Sequence, residues 1–133
     1  SMGGHGALAC ALRNPGQYRS VSAFAPIVAP SQVPWGHKAF GNYLGANRGD
    51  WLEYDATHLV QRAPLADTIL VDQGLGDKFL AEQLRPDLFE AACEKAGQKL
   101  WLRRHAGYDH GYYFIQTFMP EHIAFHAAAL RDA

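Results

Sequence analysis

Strand-like and helix-like segments alternate along this chain, and their order constrains the fold more than any other sequence feature. Three short runs rich in apolar, β-branched or aromatic residues have the length and composition of strands: 18–25, 68–71 and 99–103. Segments with helical composition and helix-ending signals are 3–13, 86–96 and 120–130. Such alternation favours parallel strands joined by right-handed crossovers. We therefore predict an α/β fold with a doubly wound, mostly parallel sheet.

A long irregular stretch, 26–62, separates the first two predicted strands and is rich in aromatic residues and glycine. Connections of this length inside a compact domain are usually functional. We expect short helices near 38–43 and 56–62 that form a wall over one end of the sheet. Three strands are few for a parallel sheet covered on both faces. We therefore expect residues 1–133 to be the C-terminal half of a single domain, with further strands preceding Ser1.

The charge balance disfavours several classes of partner. The chain has 12 basic and 13 acidic residues and a net charge of −1, which argues against binding to nucleic acid or to an anionic membrane. Its apolar runs are far shorter than a membrane span. The two cysteines, Cys10 and Cys93, fall in predicted helices, which favours reduced core thiols over a disulfide framework. These features predict a cytoplasmic protein.

Polar side chains suited to catalysis follow the predicted strands where the strands end. Asp72 and Asp77 follow the second strand, His110 follows the third, and Ser1 stands directly before the first helix. Sites in open parallel sheets lie at these carboxyl ends. The order Ser, Asp, His is that of the catalytic triad of α/β-hydrolases, and either aspartate fits it. Asp109 adjoins His110, but adjacent side chains rarely face each other, so we expect a turn residue there.

The residues that follow Ser1, in SMGGHGAL, fit the second half of a nucleophile elbow, G-x-S-x-G. Gly3 is the small residue two positions after the serine, and Gly4 would let the helix lie close to neighbouring backbone. The backbone N–H of Met2 would then donate to an oxyanion at the positive end of the helix. Two other interpretations of Ser1 are a residue left by cloning and a nucleophile activated by its own free amine. The latter requires layered antiparallel sheets, which the alternating pattern does not predict.

Four longer motifs occur in order: SMGGHGALACALRNPGQYRSVSAFAPI, PWGHKAFGNYLG, DQGLGDKFL and GYDHGYYFI. In sequence and spacing they resemble the S-formylglutathione hydrolase family, also called the esterase D family. The match covers nearly the whole chain but only the C-terminal half of that family's α/β-hydrolase fold. The resemblance implies hydrolysis of S-formylglutathione to glutathione and formate in formaldehyde detoxification, with cleavage of small acyl esters. It implies neither a metal nor an organic cofactor.

The resemblance also assigns catalytic roles. Ser1 corresponds to the family's nucleophile and His110 to the histidine of its GYDHSYYF motif. Asp77 corresponds to the second acid of the family pattern DQGxxDxFL, which favours Asp77 over Asp72. The oxyanion role of the Met2 N–H comes from the nucleophile-elbow position of Ser1 rather than from the resemblance. These positions predict a Ser-His-Asp triad that works through an acyl-enzyme.

Two positions depart from the family pattern, and two others are candidates for binding substrate. Gly111 stands where the family usually has serine, and Val33 stands where it often has cysteine before Pro-Trp-Gly, which could alter the pocket wall. Trp35 and Lys38 are the candidate substrate-binding residues, Lys38 through a carboxylate of glutathione. The cluster 112–114 is expected to be core beneath the histidine loop.

Two hypotheses of different classes follow. The chain belongs either to a serine hydrolase, whose partners are the thioester or ester substrate and the N-terminal half of the fold, or to a catalytically inert piece that only packs or binds. A generic carboxylesterase of the same fold is a further alternative, and a homodimer is considered. His122 and His126 share a helix face, but Glu121 precedes the first histidine, so the pattern of a metalloprotease zinc site is not met.

Overall fold

The computed structural model describes residues 1–132, which form three parallel strands and six α-helices. The strands, in their order across the sheet, are β1 (Val21–Phe24), β2 (Ile69–Gly74) and β3 (Leu100–His105). The helices are α1 (Met2–Arg13), α2 (Pro34–Tyr43), α3 (Arg48–Trp51), α4 (Ala56–Arg62), α5 (Pro86–Ala96) and α6 (Tyr112–Arg131). The predicted α/β class with a parallel sheet is confirmed.

The two faces of the sheet carry different side chains, because successive strand residues point to opposite faces. One face, which includes Val21 and Ile69, belongs to a large apolar core shared with α1, α4 and α5. The other face contacts α6. On that face Phe24, Asp72 and Arg103 are register neighbours across the three strands. The sheet is therefore apolar on one face and partly ionic on the other.

Helix α1 positions Ser1, which directly precedes it as the N-cap residue. The helix ends at Arg13, immediately before the pair Asn14-Pro15 that predicts a stop. A Cβ atom added at Gly4 would lie 2.7 Å from Cβ of Pro26, so a side chain there would push the helix away from the segment after β1. The close approach expected at Gly4 is confirmed.

The connection between β1 and β2 contains both short helices that the sequence predicts. The first, α2, begins earlier than expected, because Pro34 starts it in the favoured first-turn position. The second, α4, matches its predicted bounds and is capped by Asp55, whose side chain accepts a hydrogen bond from the backbone of His58. Asp55 also accepts from the Ser31 hydroxyl and backbone N–H, so this one carboxylate joins two parts of the connection.

Three sequence-based expectations are wrong. Helix α6 begins at Tyr112 rather than at Pro120, which lies inside the helix. Of the 112–114 cluster only Phe114 is buried, whereas Tyr112 and Tyr113 are 88% and 74% exposed at the start of α6. Cys10 is also exposed rather than in the core, while Cys93 is buried as expected.

The structure adds one finding about membranes. Within residues 1–132, no helix is both long enough and apolar enough to cross a bilayer.

Candidate active site

Asp77 and His110 are brought together by the loops that follow β2 and β3. His110 Nδ1 lies 2.7 Å from Asp77 Oδ2. An ionised carboxylate only accepts hydrogen bonds, so this contact requires the proton on Nδ1 and leaves the Nε2 lone pair free. The His110 and Phe79 rings are nearly perpendicular, with ring centroids 5.3 Å apart, and this contact restrains the orientation of the imidazole. The pair has the geometry of a base and its orienting acid.

Asp77 is held in place by two further donors. The Gln73 side-chain amide donates to Oδ2 over 3.1 Å, and the Phe79 backbone N–H donates to Oδ1 over 2.8 Å. The Asp77 side chain is fully buried. A buried carboxylate needs such donors, because an unpaired one would be strongly destabilised by loss of solvation. Asp77 is therefore fixed for one partner, His110.

The two loops approach each other through glycine. A Cβ atom at Gly74 would lie 2.3 Å from the Tyr108 carbonyl oxygen, so only glycine permits this contact. Gly76 N–H donates to the same carbonyl over 2.9 Å, and Leu75 N–H donates to the His105 carbonyl over 2.9 Å. These backbone hydrogen bonds join the loop of Asp77 to the loop of His110 along their length.

Ser1 and His110 border one cavity of about 330 Å³. No hydrogen bond joins the Ser1 hydroxyl to His110 in the described part of the chain, and such bonds are often loose in the absence of substrate. Phe24, Ala25 and Phe114 contribute to the same cavity. Ala25 has a φ of 44°, a conformation that costs a residue with a Cβ free energy, and it lies directly beside this site.

The Met2 amide occupies the first helical position of α1. The first N–H groups of a helix have no acceptor within the helix and face the positive end of its dipole. The Ser1 carbonyl, by contrast, accepts from the N–H groups of His5 and Ile27, each over 3.1 Å. These two bonds fix the backbone of Ser1 at the start of α1.

A second, mostly apolar cavity of about 390 Å³ lies on the α2 side of Ser1. It is bordered by Met2, His5, Trp35 and Phe40 among others. Burial lowers the pKa of His5 below its ordinary value, so its ring is neutral near pH 7. The other predicted substrate-binding residue, Lys38, is exposed on α2 and does not border either of these cavities.

Comparison with known proteins identifies the family. The family model described as "Putative esterase" matches residues 1–125. The chain belongs to the esterase family. An S-formylglutathione hydrolase from Arabidopsis thaliana is 57% identical over 131 residues, which are 98% of this chain and 46% of the relative.

Solved structures of this family show the same fold. An S-formylglutathione hydrolase from Agrobacterium tumefaciens superimposes with a TM-score of 0.94 at 52% identity, over 98% of this chain and 47% of that one. One from Staphylococcus aureus gives a TM-score of 0.71 at 18% identity, over 94% and 51% of the two chains, which shows the fold alone. The chain spans about half the length of these relatives and corresponds to the C-terminal part of the Arabidopsis protein.

In this esterase-family chain Asp72, the other candidate acid, lies in a separate cluster. Its carboxylate accepts from Arg103 at both oxygens, over 2.6 and 2.7 Å, from His105 over 2.9 Å and from His122 over 2.6 Å. Burial disfavours its charge, but the hydrogen bonds from His122, Arg103 and His105 outweigh burial and hold the pKa of Asp72 well below its usual range. The sequence offers Asp72 as a candidate acid but gives no indication that His122 contacts it.

The helix-face histidines use their ring nitrogens within the protein. His122 bonds to Asp72 and to Ser22, while His126 bonds to Ser20 and Ser22. Within residues 1–132, no group of three His, Cys, Asp or Glu side chains is arranged to hold a metal ion. The Ser1 cavity itself is bordered by the serine and by the imidazole of His110, which is hydrogen-bonded to the Asp77 carboxylate.

Proposed function

We propose that this chain carries the catalytic residues of a serine hydrolase, with Ser1 as nucleophile, His110 as general base and acid, and Asp77 as its orienting carboxylate. The observation that carries the proposal is the hydrogen bond between the buried Asp77 carboxylate and His110, which borders the same cavity as Ser1. Membership of the esterase family supports it. Because the bond to Asp77 occupies Nδ1, the free Nε2 is the atom that serves Ser1.

The reaction proceeds through a covalent intermediate. His110 Nε2 takes the Ser1 hydroxyl proton as Oγ attacks the acyl carbon, and the Met2 N–H donates to the oxyanion. Loss of such a donor typically costs about 3–4 kcal/mol of transition-state stabilisation. The bond to the leaving group breaks, the leaving thiolate or alkoxide takes the proton from His110, and an acyl ester remains on Ser1. Water then attacks with its proton passing to His110, the acid is released, and Ser1 regains its proton.

The proposed substrate is S-formylglutathione, which the enzyme cleaves to glutathione and formate in formaldehyde detoxification. Two relatives that are 57% and 52% identical bear the name S-formylglutathione hydrolase, and this supports the assignment. Small acyl esters are proposed as further substrates, because the same acyl-enzyme forms from either. The reaction uses no cofactor. Glutathione is an intracellular thiol, so the cytoplasm is the proposed location.

We propose that the complete site needs the N-terminal half of the α/β-hydrolase domain. That half would supply the strands beside β1 and a second oxyanion donor. The connection 26–62 serves as a wall of the site, since Trp35 and Phe40 within it border the apolar cavity next to Ser1. A homodimer stays a prediction.

The test uses a fused enzyme, in which the N-terminal half of the Agrobacterium tumefaciens hydrolase is joined to residue 1 of this chain. We expect the fused enzyme to hydrolyse 4-nitrophenyl acetate and, faster, S-formylglutathione. The chain alone is expected to be far less active. The matched variant Ser1→Ala should lose about 10⁴-fold or more in kcat.

The alternatives predict other outcomes. If the fused enzyme folds but shows no turnover, the chain is an inert packing piece. If it cleaves simple esters but shows no preference for S-formylglutathione, it is a generic carboxylesterase. An unchanged rate in Ser1→Ala would overturn the assignment of the nucleophile.

A further inference from the structure

Outside the Ser1 cavity, the densest polar cluster lies between the sheet and α6 and centres on Asp72. Phe24, Asp72 and Arg103 are register neighbours on the face that α6 covers. The Asp72 side chain is fully buried, and that of His122 is 3% exposed. The His122 ring stacks on Phe24, with ring centroids 3.9 Å apart and planes tilted by 19°. Phe24 in turn borders the cavity of Ser1 and His110.

The hydrogen bonds of this cluster form a series that starts at Asp72 and passes through two histidines of α6 and two serines. Asp72 only accepts, so His122 Nε2 donates to it, and His122 Nδ1 accepts from the Ser22 hydroxyl over 2.7 Å when the ring is neutral. The Ser22 oxygen then accepts from His126 Nε2 over 2.8 Å, and His126 Nδ1 accepts from Ser20 over 2.6 Å. Burial lowers the pKa of His126 below its ordinary value, which favours its neutral form. Both ring nitrogens of His122 and both of His126 therefore have hydrogen-bond partners.

The series of hydrogen bonds from Asp72 through His122 to Ser22 repeats the Asp-His-Ser connectivity of a catalytic triad, but Ser22 is not placed to be a nucleophile. Its oxygen lies between two imidazoles, 2.7 Å from His122 and 2.8 Å from His126. Both contacts hold the hydroxyl in place rather than free it for attack. The hydrogen bonds of Ser22, Asp72 and His122 instead link β1, β2 and α6, and we call these three residues the clamp.

The clamp contacts the elements at both ends of the segment that carries His110. That segment, 106–111, begins after β3 and ends at the first turn of α6. Asp72 binds His105, the last residue of β3, and His122, in the middle of α6. The His105 ring also stacks on Phe118 of α6, with centroids 3.8 Å apart. Asp72 lies on β2, whose following loop carries Asp77, so one carboxylate sets the position of the His110 segment relative to Asp77.

Asp72 acts on the site through its backbone as well. Its carbonyl accepts from the Ala25 N–H over 2.8 Å. Ala25 is the residue with positive φ that borders the Ser1–His110 cavity. The same residue therefore fixes the cavity wall and the histidine segment.

We propose that Asp72 and His122 are positioning residues for the hydrolase reaction: they hold the segment of His110 so that the imidazole meets both Asp77 and Ser1. The inference rests on the proposed function of Ser1, His110 and Asp77. Neither residue borders the Ser1–His110 cavity itself, so they act through the elements they join. Displacement of a catalytic group by about 1 Å can cost 100-fold in rate.

The test compares three substitutions in the fused enzyme. His122→Leu removes the bond to Asp72. His122→Gln keeps an amide N–H near the position of Nε2 and serves as rescue. His126→Leu removes an imidazole one turn further along α6, which contacts serines and not Asp72. We measure kcat and KM per folded molecule with 4-nitrophenyl acetate, and the low-field Nδ1–H proton resonance of His110, identified by its loss in His110→Gln.

The proposal predicts a pattern that lost stability alone does not produce. His122→Leu lowers kcat about 10-fold to 100-fold with KM within about 2-fold, and weakens or shifts the His110 resonance. His122→Gln recovers most of both, and His126→Leu, which leaves the bond between His122 and Asp72 in place, changes both far less than His122→Leu does. Equal kcat and an unchanged resonance in His122→Leu, or equal losses in His126→Leu, would overturn it.

A fallback variant and a measurement that does not depend on turnover distinguish failure of this proposal from failure to fold and from failure of the proposed function. If His122→Leu does not fold, Ser22→Ala loosens the same ring without removing a large side chain, and its smaller loss of kcat and shifted resonance are compared with those of His126→Leu. The resonance does not depend on turnover. An inactive parent enzyme therefore refutes the proposed function, while the resonance alone still decides whether Asp72 and His122 position His110.

Discussion

At the scale of single residues, the candidate acid Asp77 gives the sharpest prediction. Asp77→Asn should lower kcat of the fused enzyme about 10⁴-fold, because an amide N–H facing His110 favours the wrong tautomer. Hydrolysis of 4-nitrophenyl acetate measures it. The control is Asp109→Asn, an exposed carboxylate beside His110 in sequence, which should leave kcat unchanged. If the two variants behave alike, Asp77 is not the acid.

The depressed pKa of Asp72 predicts a dependence of stability on pH. A carboxylate whose pKa is lower in the folded than in the unfolded chain stabilises the fold above its unfolded value, about 3.9, and this contribution is lost as the pH falls further. Asp72→Asn should therefore lower the free energy of unfolding near pH 5.5, and the difference from the parent should shrink towards pH 2.5. Urea unfolding of the fused enzyme at several pH values measures it, with exposed Asp67→Asn as control. A difference that stays constant over this range would contradict the account.

At the residue scale, the order of strand ends predicts that an aspartate after the second strand lies near His110, but it does not choose between Asp72 and Asp77. The family resemblance favours Asp77, and in the structure the Asp77 and His110 side chains are hydrogen-bonded. The bond between Asp72 and His122 spans 50 positions and depends on which face of α6 meets the sheet. Apolar spacing does not reveal a buried histidine on that face, so no sequence signal identified the pair.

At the scale of elements, Gly74 tests whether the loops of Asp77 and His110 must lie close together. Gly74→Ala places a methyl group against the Tyr108 carbonyl and should separate the two loops, because that backbone cannot yield locally. We expect a loss in kcat of about 10-fold or more. In Gly41→Ala, a helical glycine with open space around its Cβ, activity should be retained and stability should rise by about 0.5–1 kcal/mol. Full activity in Gly74→Ala would show that the contact is dispensable.

Elements were predicted best where local signals agree. Helix α5 matches its predicted bounds, with proline at its start and Gly97 at its end. Strand β2 is longer than predicted and extends through Asp72 and Gln73 to Gly74. Polar residues after an apolar run suggest a loop, but here both are buried. Asp72 accepts hydrogen bonds from β3 and α6, and the Gln73 amide donates to the Gly74 carbonyl and to Asp77. Tertiary contacts that local composition does not encode therefore set the end of β2.

At the scale of the whole molecule, β1 is paired on one side only among the described residues, since the sheet order is β1-β2-β3. Cys10 borders a groove of about 280 Å³ along this side, together with Ser20 and Ser22. Strands added beside β1 would cover the groove. The α/β class could be predicted from the alternation of elements, but the exposed edge is a property of the part of the fold this chain spans.

Cysteine labelling tests whether the N-terminal half covers that edge. In the chain alone iodoacetamide should modify Cys10 quickly, and in the fused enzyme the rate should fall about 10-fold or more. Cys93 is the internal control, because it is buried and burial raises the pKa of its thiol to about 12, so it should react slowly in both. Intact-protein and peptide mass spectrometry measure both sites. Equal labelling of Cys10 in the two forms would argue against docking at the β1 edge.

The central claim is that Ser1 is a nucleophile activated by His110 and Asp77. A fluorophosphonate probe tests it most directly, because the probe reacts with an activated serine and peptide mass spectrometry locates the adduct. We predict one adduct per fused enzyme, on Ser1, and no adduct in His110→Gln after the same time. An adduct on another serine, or labelling of Ser1 that is as fast in His110→Gln, would contradict the account.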